Sequence, residues 1–308
     1  MPLYKLTQTN EDWIQELDSA NLTIGKDLQF VRGINPKINP EHQELADQKW
    51  AMMVEESKGR LFDGALAHSN KTTSKAGIIQ VHLAKTTYKD HHVTTYDKGF
   101  ENDQLINSNR PIRHERTDSR INHIVVANPQ NFCSAYAIAI FLTTKDNKIF
   151  YAIRSSNTDD HKDQLSMPSG GRMSGDPHQF VDDVTTNNDL IYKHIKGTLK
   201  SEFPQLKELE KRVADETIKS TGIIRYARLP DLTHTFQAHI DANFNELEQT
   251  LIKGKYQGAG FVENNSDGII KLLKKTSQFP GTISPTFILK SQDYSIDPKY
   301  HVNGLMEV

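Results

Sequence analysis

Two adjacent glycines and an arginine at the end of an apolar run are the residues of this sequence best suited to an anionic ligand. Gly170 and Gly171 follow Pro168 in the segment QLSMPSGGRM. A glycine pair lets the backbone approach a phosphate closely, although such pairs are also common in tight turns. Arg154 could pair with a phosphate through two hydrogen bonds, or it could lie exposed at a sheet edge. Together these residues predict phosphate-binding chemistry.

Carboxylates could add a metal ion and a base to such a site. Glu202, at the end of a predicted helix, is a candidate ligand for Mg²⁺, which prefers oxygen ligands, although an exposed glutamate is more often only solvated. Glu263 ends the segment GAGFVE and is a candidate general base. Asp182 and Asp183 could supply further acidity, but adjacent aspartates in a polar loop are usually solvated.

The elements that must position these residues are those of an α/β domain. The segment CSAYAIAIFLTTKDNKIFYAIRSS predicts two central strands joined by a turn at residues 145–148. A helix over residues 189–203 follows, with one apolar stripe made by Ile191, Ile195, Leu199 and Phe203. Strands alternating with helices predict a layered fold. The remaining predictions are helices over 207–220, 243–253 and 268–275, and strands over 223–228, 235–240 and 260–262.

The first part of the chain is expected to form a smaller α+β unit. Residues 1–40 predict one short strand or an irregular arm, and residues 41–58 predict a helix that ends at Gly59. Two strands, over 61–68 and 78–85, form a hairpin with a polar turn at 70–75, and residues 97–122 read as a surface loop. We therefore expect an N-terminal extension over residues 1–125 and a main domain over 126–308.

Composition narrows the classes of ligand and location. The 308 residues carry 37 Lys and Arg against 39 Asp and Glu, so no global positive charge attracts nucleic acid, and a small molecule is the expected partner. The single cysteine, Cys133, excludes an internal disulfide and suits a reducing compartment. No apolar run approaches the roughly 20 residues that a membrane span needs, and the first residues lack a signal-peptide core. A cytoplasmic location without membrane contact is expected.

The order of these motifs resembles that of the Nudix hydrolase superfamily. Two strands ending near Arg154 precede the Pro-Ser-Gly-Gly segment, and an amphipathic helix follows. The superfamily's signature is G-x5-E-x7-R-E-U-x-E-E-x-G-U, where U is a bulky apolar residue and the glutamates bind Mg²⁺. The resemblance implies an α/β/α sandwich with a mixed sheet. It also implies Mg²⁺-dependent hydrolysis of compounds linked through a nucleoside diphosphate.

Further landmarks resemble the branch of UDP-sugar diphosphatases, which has an N-terminal extension. They are Trp50 followed by Leu61-Phe62-Asp63-Gly64, the segment from Thr86 to Asp90, the long insert before the helix, and the later segments GIIRYA and GAGFVE. This resemblance implies a UDP-sugar ligand. It implies that Tyr88 and Lys89 help to bind the sugar or base, although packing at a hairpin end is an equally good interpretation.

The sequence departs from the signature at the carboxylates. With Leu199 in the apolar place of R-E-U-x-E-E, residues 197–202 read GTLKSE and only Glu202 is kept. A second register over residues 215–223 keeps only Glu216; the first is preferred because its apolar stripe is cleaner. A single carboxylate usually holds Mg²⁺ weakly. Two functions therefore stay open, a Mg²⁺-dependent diphosphatase and an inactive nucleotide-binding or scaffold protein.

Overall fold

The computed structural model describes residues 4–7, 12–17, 21–36, 40–58, 61–91, 133, 135–156, 163, 165–167, 170–173, 180–226 and 232–276. The predicted loop at 97–122 and the candidate residue Pro168 lie outside the described residues. The same is true of Gly59, the predicted end of the first helix.

The described strands and helices follow one another in an α/β order. The strands are β1 (Tyr4–Thr7), β2 (Asp12–Leu17), β3 (Leu22–Thr23), β4 (Leu28–Arg32), β5 (Ala65–Lys75), β6 (Ile78–Thr87), β7 (Tyr136–Thr144), β8 (Lys148–Arg154), β9 (Leu165–Ser166), β10 (Gly170–Arg172), β11 (Lys219–Tyr226), β12 (Leu232–Ile240) and β13 (Tyr256–Glu263). The helices are α1 (Pro40–Glu56), α2 (Tyr88–His91), α3 (Val184–Glu202), α4 (Leu209–Arg212), α5 (Phe244–Thr250) and α6 (Ser266–Thr276), with a 3₁₀ turn at Asp215–Thr217.

The main sheet is mixed. Its strands lie in the order β1, β2, β11, β12, β7, β8 and β13, and the β12–β7 pair is parallel whereas the other neighbours are antiparallel. Strand β7 therefore lies inside the sheet, as its continuous apolar run predicts. A smaller sheet contains β4, β6 and β5.

Helices cover both faces of the main sheet. Alternate residues of β7 point to opposite faces. Ile138 and Ile140 belong to the same core as the stripe of α3, whereas Phe141 belongs to a second core with Leu272 of α6. The predicted α/β fold with a mixed sheet between helical layers is confirmed.

Helix α3 matches its predicted stripe. Ile191, Ile195, Leu199 and Phe203 are all fully buried. The helix begins before the expected residue 189, because the side chain of Asp183 caps it by accepting a hydrogen bond from the backbone N–H of Thr186 at 2.9 Å. Part of the predicted insert is thus the first turn of α3.

Strands β7 and β8 separate beyond their turn, and the glycine segment fills the gap. The two strands pair at Thr143 and Ile149. Further along, Ala139 of β7 pairs with Gly170 of β10, and Ile153 of β8 pairs with Leu165 of β9. The segment that carries the glycine pair therefore lies between the diverging ends of the two central strands.

Three predictions for other elements are wrong. The described residues among 1–40 form four strands rather than one, and β1 and β2 extend the main sheet through β11. The hairpin turn is at Ala76 and Gly77, both with positive φ, so the polar residues 70–75 belong to strand β5. The helix expected over 207–220 is instead α4, the 3₁₀ turn and the start of β11.

The boundary at residue 125 stays a prediction. Strands β4 to β6 form a sheet of their own, yet Phe30, Val81 and Leu83 of that sheet share the core of α3. Within the described ranges, no helix is long and apolar enough to span a bilayer.

Candidate functional site

The last residue of α3 carries the candidate carboxylate, and it is buried. The side chain of Glu202 is 3% exposed. Phe203 ends the helix and packs edge-to-face on Phe150 of β8, with ring centroids 5.6 Å apart. The backbone carbonyl of Glu202 accepts a hydrogen bond from the N–H of Ile252 at 2.8 Å. The alternative that Glu202 is a solvated surface charge is therefore wrong.

Two neighbouring residues before and at the start of β13 bind this carboxylate. Lys255 donates from Nζ to Oε1 of Glu202, and the hydroxyl of Tyr256 donates to Oε2 at 2.9 Å. Lys255 is 32% exposed on its side chain, whereas Tyr256 is buried. A buried carboxylate needs such charged and hydrogen-bonded partners, because desolvation of an unpaired charge is costly.

Arg154 completes this group at the end of β8. It is the cross-strand partner of Tyr256 in the β8–β13 pair. Its Nε is buried and, among the described residues, has no hydrogen-bond partner. We call Glu202, Lys255, Tyr256 and Arg154 the Glu202 cluster.

Burial and the neighbouring carboxylate of Glu202 keep Tyr256 neutral. Burial is the largest cause that raises the pKa of Tyr256 well above its ordinary value, followed by the negative charge of Glu202 and the hydrogen bond to it. The positive charge of Arg154 opposes this rise in pKa. Tyr256 is therefore a hydrogen-bond donor to Glu202 over the physiological pH range.

The glycine pair lies in a strand at the same end of β8. Gly170 and Gly171 pair with Ala139 and Ile138 of β7, so they do not form the tight turn that was one interpretation of the sequence. The strands diverge toward the end of β8 that carries Arg154. The pairing thus brings the glycine segment and Arg154 to one end of the sheet.

Glu263 lies away from this group. It is exposed at the other end of β13 from Tyr256, opposite Lys148 of β8. At about 3.3 Å per residue, the strand separates Glu263 from Tyr256 by roughly 23 Å. The structure does not bring Glu263 together with Glu202, and its role as a base stays a prediction.

Tyr88 and Lys89 connect α1 to the hairpin. The ring of Tyr88 packs edge-to-face on Trp50, with centroids 6.1 Å apart. Lys89 forms an ion pair with Asp47 of α1, and its backbone N–H donates to Asp63 at 2.8 Å. These contacts match the packing interpretation of the sequence, and ligand binding by the two residues stays a prediction.

The remaining acidic candidates also lie outside the Glu202 cluster. Glu216 lies in the 3₁₀ turn, and the residues after it enter β11, so the second register does not form a helix. Asp183 caps α3, and Asp182 is 91% exposed near Arg32. Within the described ranges, no group of three or more His, Cys, Asp or Glu side chains could hold a metal ion.

The donor set around Glu202 does not fit Mg²⁺. Both carboxylate oxygens accept hydrogen bonds, and one of the donors is a lysine ammonium. Magnesium prefers several oxygen ligands and keeps its distance from fixed positive charge. A magnesium ion at Glu202 would therefore have to displace Lys255.

No strong sequence signal points to Lys255 and Tyr256 as partners of Glu202. They lie 53 and 54 residues from Glu202 along the chain. The one usable signal is the general rule that a buried glutamate requires a cationic partner. With 37 Lys and Arg in the sequence, that rule cannot name the partner.

Comparison with known proteins gives distant structural likeness alone. No protein-family model and no curated protein matches the chain. It is similar to a solved structure of a mutT/nudix family protein from Listeria innocua, with 13% identity, a TM-score of 0.32, and coverage of 55% of this chain and 97% of that one. It is also similar to DR0079 from Deinococcus radiodurans, with 9% identity, a TM-score of 0.30, and coverage of 46% and 73%. Likenesses this distant carry no argument about function.

Proposed function

We propose that this chain is a Nudix-like protein that binds a compound linked through a nucleoside diphosphate, such as a UDP-sugar, without hydrolysing it through a metal ion on Glu202. The observation that carries the proposal is the pairing of both Glu202 oxygens with Lys255 and Tyr256. In the superfamily that the sequence resembles, the corresponding carboxylates serve the metal. In this chain the carboxylate of Glu202 pairs with the ammonium of Lys255 instead.

The energetics of burial support this proposal. Among the described contacts, releasing Lys255 would leave the carboxylate of Glu202, which is 3% exposed, with the hydroxyl of Tyr256 as its one side-chain partner. Removing one partner of a buried ion pair typically costs roughly 3–5 kcal/mol. A magnesium ion must offset that cost before it can act on a substrate. Weak metal binding follows.

The remaining charges support an anionic ligand. Beside this pair, the buried Nε of Arg154 has no acceptor in the described ranges. Arginine and backbone N–H groups are common partners of phosphate oxygens. The backbone of Gly170 and Gly171 lies at the same end of the diverging strands, which supports a diphosphate at that end.

A Mg²⁺-dependent diphosphatase is the second candidate, and one observation favours it. Leu199 is fully buried against the sheet, which is the placement that the first register of the signature requires. In that register Glu202 takes the place of the last signature carboxylate. This activity would need Lys255 to move away when Mg²⁺ and substrate bind.

The two candidates differ in turnover and in the effect of Mg²⁺ on binding. The purified chain is incubated with UDP-glucose and a panel of nucleoside diphosphate compounds in Mg²⁺, with release of nucleoside monophosphate as the readout. Calorimetry measures UDP-glucose and UDP binding with Mg²⁺ and with EDTA. The proposal expects binding in both buffers and no turnover above that of Glu202→Gln. Turnover that Glu202→Gln abolishes supports the diphosphatase, and binding of no nucleotide in the panel overturns both.

A further inference from the structure

We infer that Lys255 and Arg154 form a metal-independent subsite for a diphosphate oxyanion, in which the lysine ammonium supplies the positive charge that Mg²⁺ supplies in a metal-dependent site. The inference rests on the proposed function and adds the residues and the charge that bind the ligand. The sequence motif predicts neither a role for Lys255 nor binding without a metal, because Lys255 lies outside the motif.

The charge of the Glu202 cluster is the first argument. The cluster contains two cationic side chains and one carboxylate: Lys255 pairs with Glu202, and Arg154 lies opposite Tyr256, which remains a neutral donor because its pKa is raised. The cluster therefore keeps one surplus positive charge next to a buried end of the sheet. A bound oxyanion would balance that charge.

The unsatisfied donor is the second argument. Buried polar atoms in folded proteins nearly always have a hydrogen-bond partner, and one that lacks a partner calls for an explanation. Nε of Arg154 is such an atom among the described residues. Because arginine presents its donors in a planar fork, a phosphate oxygen that reaches Nε can also bind a terminal nitrogen of the same side chain.

The exposure of Lys255 is the third argument. Its side chain is 32% exposed, whereas that of its partner Glu202 is 3% exposed. An ammonium has three donors and Glu202 takes one of them in the contact described here. Lys255 can therefore hold the carboxylate on its buried side and still donate to a ligand on its open side.

The experiment uses inorganic pyrophosphate as the probe and calorimetry in EDTA as the readout. Glu202→Gln removes the negative charge but keeps an oxygen that can accept from Tyr256, so Lys255 becomes free to bind the anion. We expect Glu202→Gln to bind pyrophosphate roughly threefold to tenfold more tightly than the native chain. Arg154→Met and the double variant Glu202→Gln with Lys255→Met should each bind about tenfold more weakly than their parents.

Matched controls separate a local effect from loss of folding. Lys145→Met removes an exposed lysine that pairs with Asp241 at 2.8 Å, and it should leave pyrophosphate affinity unchanged. Thermal unfolding of every variant verifies that it is folded at the temperature of the titration. The double variant avoids leaving Glu202 as an unpaired buried charge.

The outcomes distinguish this inference from the proposed function. Pyrophosphate binding that requires Mg²⁺, that weakens or stays equal in Glu202→Gln, or that is absent in EDTA overturns the inference. If UDP or UDP-glucose still binds in that case, the proposed function stands with a different set of ligand contacts. If neither nucleotides nor pyrophosphate bind, both fail.

Discussion

Two buried polar groups of this protein differ in charge and in how far the described protein contacts satisfy them. In the Glu202 cluster a carboxylate pairs with a lysine and a tyrosine, and an arginine lies opposite that tyrosine at the end of β8. In the second group, called here the His234 cluster, His234 lies fully buried between Tyr136 and Ser220. Its Nδ1 lies 2.9 Å from the hydroxyl of Tyr136, and its Nε2 lies 2.7 Å from Oγ of Ser220.

The His234 cluster is complete within the protein. A neutral imidazole has one donor and one acceptor, and the two hydroxyls satisfy both. Burial lowers the pKa of His234 to about 3, so the ring stays neutral. Phe236 stacks on it with centroids 4.1 Å apart. A serine and a histidine in contact could suggest a nucleophile, but both are fully buried in the sheet, so a structural role accounts for them.

The Glu202 cluster is incomplete by the same criteria. It contains two cations for one carboxylate, and the buried Nε of Arg154 has no acceptor within the part of the chain that the structure describes. A neutral group whose hydrogen bonds are all satisfied has no free donor or acceptor for a ligand. A charged group with a spare donor can still bind one.

Replacing Lys255 should have the largest effect on stability. Lys255→Met leaves Glu202 buried without its cation, which should lower the free energy of unfolding by about 3 kcal/mol. Urea denaturation measures the change. Adding Glu202→Gln should recover most of the loss, since the unpaired charge is then gone. A loss as small as that of the exposed-pair control Lys145→Met, below about 0.5 kcal/mol, would show that the ion pair is not the main partner of Glu202.

Lowering the pH should destabilise the folded protein through the His234 cluster. The folded protein binds a proton on His234 only near pH 3, whereas the unfolded chain does so near the ordinary value of 6.5. Stability should therefore fall as the pH is lowered from 6.5, by about 2 kcal/mol for this residue by about pH 5. His234→Gln keeps a donor and an acceptor but cannot titrate. Between pH 6.5 and pH 5, this variant should lose about 2 kcal/mol less unfolding free energy than the native chain. An equal loss in both would contradict a neutral, buried imidazole.

Replacing the buried tyrosine of each cluster with phenylalanine should give the smallest difference in unfolding free energy between the two clusters. Tyr256→Phe removes a hydrogen bond to a charged acceptor and should cost about 1.5 kcal/mol, whereas Tyr136→Phe removes one to a neutral ring and should cost about 1 kcal/mol. Chemical denaturation of both variants measures the difference. Pyrophosphate affinity adds a second readout. It should be unchanged in Tyr136→Phe, and a change there as large as in Tyr256→Phe would remove the distinction between the clusters.

The sequence predicted those elements whose signal is local. The apolar runs of β7 and β8 and the stripe of α3 are continuous patterns, and the structure has them where they were expected. Strands β1 and β2 were missed because both are short and because β2, the partner of β1, joins the sheet through β11, far along the chain. The hairpin turn was misplaced because residues 70–75 are polar yet belong to β5, with the turn made by Ala76 and Gly77.

The position of Glu202 at the end of α3 was predictable from the sequence, whereas its burial and its hydrogen-bond partners were not. The stripe of α3 set the register that places Glu202 at the helix end. That Glu202 is buried, and that Lys255 and Tyr256 bind it, depends on how the loop before β13 packs on the end of α3. Such a contact between distant segments leaves no periodic pattern in the sequence.

The most direct test of the account is whether Glu202 binds a divalent cation at all. Mn²⁺, a substitute for Mg²⁺ with a paramagnetic signal, is titrated into the native chain and into Glu202→Gln, and free Mn²⁺ is measured by electron paramagnetic resonance. Because Lys255 already occupies the carboxylate, the two titrations should coincide, with and without UDP. A micromolar Mn²⁺ site that is present in the native chain and lost in Glu202→Gln would contradict the account.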